Sequence, residues 1–120
     1  MASRKLIKWE MQLDRGGQYA LCDLGCGNLA YEMHEIISRG RTVGNPAARE
    51  ASYNKYICSL LCPECHTINH KAEGSESYLL AINFGLYGRE VVLAAIKVVQ
   101  DLLYLPLDLD IPEVGQYESR

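Results

Sequence analysis

Five cysteines and three histidines are the residues of this chain best suited to bind a metal ion. Four of the cysteines form two close pairs, Cys22 with Cys26 and Cys62 with Cys65. A structural zinc ion takes four such ligands at tetrahedral corners, and a short interval between two cysteines lets one turn present both sulfurs. The two pairs therefore predict a structural Zn²⁺ site, with Cys58 left outside it.

Two histidines follow the second cysteine pair directly, at His66 and His70. On a helix, a spacing of four residues places both imidazoles on one face, as in helical pairs that bind a metal. Two nitrogens cannot complete a metal shell, and His34 is the only other histidine. We therefore expect a second, catalytic divalent ion that is held by these three residues beside the zinc.

Short strands and tight turns must hold these groups together. Runs of apolar and aromatic residues predict strands over residues 19–22, 29–34 and 56–61, with a glycine-rich turn over 22–28. Pro63 suits the first turn of a helix, where its missing N–H costs nothing. The polar stretch over 38–54 contains little that can be buried, so it predicts a surface loop with one turn of helix at most.

The second half of the chain predicts helices over residues 77–86 and 89–103, separated at Gly88. Residues 5–15 fit a short helix or a strand. Beyond the helices, prolines and charges predict an extended acidic tail that docks only through Leu105, Leu107 and Leu109. We expect a single domain over 1–120, divided into a core over 18–71, a helical extension over 75–104 and the tail over 105–120.

Composition and charge exclude several classes of protein. The chain has 120 residues, of which 48% are hydrophobic and 22% charged, as in one globular domain rather than a disordered or collagen-like protein. No apolar run has the length of a membrane span or a signal peptide, so we expect a cytoplasmic protein without a membrane partner. The net charge of −3 divides into +2 over residues 1–71 (nine cations, seven anions) and −5 over 72–120 (three cations, eight anions). A basic surface is therefore expected only in the first part.

The run Leu61-Cys62-Pro63-Glu64-Cys65-His66-Thr67-Ile68-Asn69-His70 follows a cysteine pair, a strand that ends in His34 and an arginine-containing stretch. This pattern resembles the HNH endonuclease family, the ββα-metal nucleases, in the small zinc-bearing form common in bacteriophages. The resemblance covers residues 18–71, and residues 79–90 look like the helices that follow this core. It implies an α+β fold with a ββα-metal core, a zinc knuckle and C-terminal helices. It also implies double-stranded DNA as the partner, in the host cytoplasm.

The resemblance also implies a mechanism. A divalent cation such as Mg²⁺ binds the scissile phosphate, a histidine deprotonates the attacking water, and an asparagine orients that histidine. Ile57 occupies the usual position of this asparagine here, and Asn54 is the nearest substitute. The family usually has a second histidine where this chain has Glu35. Either His34 ligates the metal and Glu35 takes the position of the base, or His34 is the base and Glu32 or Glu35 ligates the metal.

Four cations lie in or beside the stretch 38–54, namely Arg39, Arg41, Arg49 and Lys55. We predict that they neutralise phosphates of a DNA duplex. The replaced histidine and the acidic second half favour a second hypothesis. In it, the chain is a weak or inactive zinc module derived from such a nuclease, which regulates by binding DNA or a protein through that acidic half. The oligomeric state is left open.

Overall fold

The computed structural model describes residues 4–69, 75–104 and 106–117. These residues form an α+β protein, as the sequence predicts, with one antiparallel pair of strands. The helices are α1 (Arg4–Asp14), α2 (Pro46–Ser52), α3 (Pro63–Asn69), α4 (Ser75–Tyr87) and α5 (Arg89–Leu103), and the strands are β1 (Glu32–Glu35) and β2 (Cys58–Leu61). Single turns of 3-10 helix lie at Gly17–Tyr19, Arg39–Arg41 and Lys55–Ile57. None of the described helices has the length and apolar character needed to cross a membrane.

The strands are shorter than the sequence predicts. The register pairs Glu32 with Leu61, Met33 with Leu60, His34 with Ser59 and Glu35 with Cys58. The strand predicted over 19–22 is wrong, because only Leu21 forms a bridge there, to Leu29. A 3-10 turn ends at Tyr19 and a tight turn begins at Cys22, so no room is left for a longer ladder.

The stretch over residues 38–54 contains the predicted turn of helix, here α2, but it packs into the core instead of lying wholly on the surface. Asn45 begins the helix as its cap, because its Oδ1 accepts a hydrogen bond from the Ala48 N–H at 3.0 Å. Ala48 and Ser52 are buried, and the helix packs against α5.

The two C-terminal helices carry much of the apolar core, and both are confirmed. The buried positions of α5 recur at helical spacing, at Val92, Ala95, Ile96 and Val99. Leu79 and Leu80 of α4 are fully buried against the same core. This packing gives the second half of the chain a stable apolar interior.

The segment after α5 has neither helix nor strand within its described residues, and it docks more widely than the sequence predicts. Leu107 and Leu109 are partly buried, as expected. Pro112 is also buried, and its carbonyl accepts a hydrogen bond from Arg89 Nη1 at 2.9 Å. The prediction of docking only through leucines is therefore wrong, and Leu105 lies outside the described residues.

Candidate functional site

The first cysteine pair lies on a tight turn over residues 22–28. The Cys22 N–H donates to the Asn28 carbonyl at 2.9 Å and closes the turn. Gly25 and Gly27 have φ angles of 76° and 85°, which residues with a Cβ adopt only with strain. The turn leads the chain back, and Cys26 Sγ comes within 3.6 Å of Cys62 Sγ at the end of β2.

Asp23 fixes this turn to β2. Its N–H donates to the Leu60 carbonyl at 2.9 Å, and its Oδ2 accepts from the Leu60 N–H at 2.9 Å. Its Oδ1 lies 2.6 Å from Nε of Arg15, in an ion pair whose side chains are 4% and 9% exposed. Burial works against the charge of Arg15, yet the hydrogen bond and charge of Asp23 outweigh it and raise the pKa of Arg15. The guanidinium therefore stays charged and the turn stays fixed to the strand that delivers Cys62.

The structure brings the four predicted zinc ligands together. The Sγ atoms of Cys22, Cys26, Cys62 and Cys65 all lie within 4.8 Å of one another. A tetrahedral zinc ion with Zn–S bonds of ~2.3 Å holds its sulfurs roughly 3.8 Å apart. The measured separation of 3.6 Å between Cys26 Sγ and Cys62 Sγ fits that edge. The cluster can therefore hold a metal ion such as zinc.

The thiols of the cluster differ in their readiness to ionise. The Cys65 N–H donates to Cys62 Sγ at 3.4 Å, and this bond lowers the pKa of Cys62 to about 7. Burial raises the pKa of Cys22 and of Cys65. Cys62 thus ionises before Cys22 and Cys65, and a metal that fills the site must release the protons of those two thiols.

A second group of polar side chains lies where β1 meets α3. Glu32 and His34 are two residues apart in β1 and share one face of the strand. The rings of His34 and His66 meet edge to face, with centroids 5.2 Å apart and an interplanar angle of 83°. His66 Nδ1 lies 2.6 Å from Glu32 Oε1. Because a carboxylate can only accept, Nδ1 carries the proton, and a neutral His66 keeps Nε2 as an acceptor or metal ligand.

Glu35 does not join this group. It follows His34 directly in β1, so its side chain leaves the opposite face of the strand. There, Arg4 binds both carboxylate oxygens, with Nε to Oε1 at 3.0 Å and Nη2 to Oε2 at 3.1 Å. Arg4 Nη2 also donates to the Met33 carbonyl at 3.2 Å. The structure thus brings together His34, His66 and Glu32, and leaves Glu35 in an ion pair behind the strand.

Asn54 has a structural role at its position. Its Oδ1 accepts a hydrogen bond from the Tyr56 N–H at 2.9 Å and begins the 3-10 turn at Lys55–Ile57. This bond accounts for an asparagine at this position without a role in orienting a histidine. His70, the other predicted metal ligand, lies outside the described residues.

Three of the four cations predicted to bind DNA have partners within the chain. The pairs are Arg41 with Glu76, Lys55 with Asp14 at 3.1 Å, and Arg49 with the Tyr53 hydroxyl at 3.2 Å. Arg39 is exposed, and its side chain makes no ion pair or hydrogen bond with the part of the chain that the structure describes. A phosphate would have to displace the partner of each cation except Arg39.

Glu32, His34 and His66 together form what we term the His34–His66 group. A groove that the sequence did not reveal lies beside it. Its volume is about 400 Å³, and its lining includes Arg4, Lys5, Lys8, Tyr31, Glu32 and His66. We term it the α1 groove. The signal in the sequence was the set of three basic residues at the start of α1. The sequence alone does not show that these residues share one side of the chain, because they do so only when residues 4–14 form a helix.

Comparison with known proteins assigns no family to the chain. It matches no model of a protein family, no curated protein and no solved structure. A proposal about function therefore rests on the sequence pattern and on three features of the structure, namely the cysteine cluster, the His34–His66 group and the α1 groove.

Proposed function

We propose that the chain is a metal-dependent DNA endonuclease of the HNH type, in which a zinc-filled cysteine cluster supports a one-metal active site. The observation that carries the proposal is the contact between the rings of His34 and His66, beside the Glu32 carboxylate. His66 follows the cluster ligand Cys65 directly in the sequence. Two imidazoles and a carboxylate in one place can hold a cation and move a proton. Phosphodiester hydrolysis by this route needs both.

The order of the elements also supports the proposal. β1 and β2 pair in antiparallel fashion, and α3 follows β2 at once. This is the ββα order that the sequence resemblance implies. The first turns of α3 supply both Cys65 and His66, so a zinc ion at the cluster would hold in place the helix that carries the imidazole.

The side chains present fit a divalent cation. We assign its ligands to Nε2 of His66 and, outside the described residues, to His70, because imidazole nitrogens suit divalent ions such as Mn²⁺ or Ni²⁺. Glu32 orients the His66 ring through Nδ1. When bound, the cation would supply positive charge to the scissile phosphate and to the leaving 3′ oxygen. Glu35 has no part in this assignment, since Arg4 binds it on the other face of β1.

His34 is then the group left to act as general base. A neutral imidazole accepts a proton readily near neutral pH. The water oxygen forms a bond to phosphorus, its proton passes to His34, and the bond from phosphorus to the 3′ oxygen breaks. The 3′ oxygen takes a proton from solvent, which leaves a 3′ hydroxyl and a 5′ phosphate.

A plasmid-nicking assay with Mg²⁺, Mn²⁺ or Ni²⁺ tests this proposal. We expect the wild-type protein to nick the plasmid. His34→Ala should nick about 10²–10⁴-fold more slowly, because the general base is lost. His66→Ala and His70→Ala should abolish nicking while zinc content and melting temperature persist. Glu35→Gln is the matched control, because it changes the neighbouring residue on the opposite face of β1 and should keep the wild-type rate.

Three outcomes would contradict the proposal or its assignments. A wild-type protein that nicks with none of the three metals would reject the nuclease. Loss of nicking in Glu35→Gln, with His34→Ala still active, would reject His34 as the base. Loss of the structural zinc in His70→Ala would place that histidine in the scaffold instead of the active site.

A second candidate function is a regulatory zinc module without catalytic activity. The ion pair of Glu35 with Arg4 favours it, because the residue that takes the position of the usual base is occupied elsewhere. Such a module would bind DNA, or bind a protein through the acidic second half of the chain. It predicts DNA or protein binding at wild-type levels with no nicking in any of the three metals.

A further inference from the structure

Two lysines of α1 lie beside the candidate active site. Lys5 and Lys8 are three residues apart, which places them about 4.5 Å apart along the helix axis. Both line the α1 groove, whose lining also includes His66 and Glu32. The groove therefore presents two ammonium groups next to the imidazole that we assign to the metal.

These lysines are available for a ligand, unlike most cations nearby. Arg4 binds Glu35, and the cations of the 38–54 stretch have the partners given above apart from Arg39. Within the described ranges, neither Lys5 nor Lys8 forms an ion pair. A bound anion would thus gain two charge-assisted contacts without breaking one inside the protein.

The chemistry of the groove suits a phosphodiester backbone. Lysine ammonium groups make sequence-independent contacts to phosphate oxygens. Tyr31, which is 52% exposed, adds a hydroxyl donor and an aromatic surface at the same place. Among the described residues Glu32 is the one acidic residue in the lining, and its Oε1 lies against His66 Nδ1 at 2.6 Å, so the two lysines outnumber its single negative charge.

We propose that Lys5 and Lys8 bind the phosphate backbone of duplex DNA in the α1 groove. In that position the scissile phosphate comes to the His34–His66 group. That the lysines place a substrate rests on the proposed function, but the binding of DNA does not depend on catalysis. It replaces the 38–54 stretch by α1 as the main DNA contact of this chain.

Binding of a labelled 20-base-pair duplex to the zinc-loaded chain of 120 residues tests the proposal, with 50–200 mM salt and no added catalytic metal. Lys5→Ala/Lys8→Ala should weaken binding by roughly tenfold or more. It should also lower the slope of log K against log salt by about 1.8, because two phosphate contacts are lost. In the nicking assay it should raise KM and leave kcat unchanged, since the lysines hold substrate and transition state alike.

Matched variants separate a specific contact from a change of net charge or fold. Lys97→Ala removes one charge from α5, where Lys97 pairs with Asp101 at 2.9 Å, and should bind DNA as the wild type does. Lys5→Arg/Lys8→Arg keeps both charges and should retain the salt slope. Melting temperatures of all variants should stay close to that of the wild type, because Lys5 is exposed and Lys8 is only half-buried.

The outcomes distinguish this inference from the proposed function. A protein that binds DNA through the two lysines but never nicks would support the inference and reject the nuclease. A protein that nicks, with KM unchanged in the double alanine variant, would support the nuclease and reject the inference. The inference would also be wrong if the wild-type protein bound no duplex at 50 mM salt. It would be wrong if polyglutamate displaced the labelled duplex as well as unlabelled DNA does, or if Arg39→Ala alone weakened DNA binding.

Discussion

Two regions of this chain reach a folded state by different means. The cluster region comprises the turn over 22–28, β1, β2 and α3, and the helical region comprises α2, α4 and α5. In the helical region, Leu79, Leu80, Val92 and Val99 are all 0% exposed. The cluster region also buries Leu60 and Leu61 completely, but its strands have only four residues each, and it adds a cluster of four sulfurs that the helices lack.

The difference follows from what each segment can bury. A two-stranded sheet of this length is marginal in water, and a small unit without a large apolar core usually needs a metal or a disulfide. The cluster region shares the apolar core of the helices through β2, but we expect so short a two-stranded unit to need a metal at its cysteines as well. Asn83 of α4 joins the two, since its Nδ2 donates to the carbonyls of Tyr56 and Cys58 at 2.9 Å each.

The largest effect should come from Cys62→Ser. A serine oxygen is a poor replacement for the Cys62 thiolate, so zinc content should fall from about one ion per chain to none. Structural zinc binding is worth ~10–16 kcal/mol in small metal-folded peptides, more than the ~5–15 kcal/mol net stability of a typical domain. Hydrogen exchange should show loss of protection in β1 and β2, with protection retained in α4 and α5.

Cys58→Ala is the control for this experiment. Cys58 is buried in β2 but lies outside the cluster, so the variant should keep one zinc ion per chain. A Cys62→Ser protein that is free of metal and melts at the wild-type temperature would show that the cluster does not stabilise this region.

Leu80→Ala should have the next largest effect, confined to the helical region. Leu80 is fully buried in α4, and removing its three carbons leaves a cavity that costs about 2–5 kcal/mol. Leu86→Ala, on an exposed position of the same helix, should cost less than about 0.5 kcal/mol. Urea unfolding gives the free energies and metal analysis the zinc content. Loss of zinc from Leu80→Ala at low urea would show that the two regions do not fold separately.

The sequence predicts the features that depend on local spacing. The two cysteine pairs predict the four-thiol cluster, because few residues separate the members of each pair. The apolar repeat predicts α5 over its full length, Arg89–Leu103, because helical period and burial coincide there. Each cysteine pair and the apolar repeat lie in contiguous residues. The meeting of the two pairs, 36 residues apart at Cys26 and Cys62, was predicted from the four ligands that zinc needs.

The features that the sequence did not reveal depend on distant contacts or on small side chains. α2 is buried through Ala48 and Ser52, which a hydrophobicity pattern does not mark as core residues. Arg41 forms an ion pair with Glu76, which lies 35 residues away in the sequence. The direction of Glu35 was accessible in principle, because neighbours in a strand point to opposite faces, but the resemblance placed it beside His34.

The smallest effect should be seen at Cys58, at the boundary between the two regions. Its side chain is 0% exposed, and burial raises the pKa of its thiol to about 12. Because only the thiolate reacts, Cys58 in the zinc-loaded protein should stay unalkylated when the pH is raised from 7 to 9. Free glutathione is the control, and its rate of alkylation should rise over the same pH range. A raised pKa in the folded state also means that the stability contributed by the buried thiol is complete below pH 9. It is lost as the pH approaches 12. Mass spectrometry after iodoacetamide treatment should find no adduct on Cys58 until the chain is unfolded. An adduct that forms in the folded protein, with a yield that rises between pH 7 and 9, would mean that β2 opens.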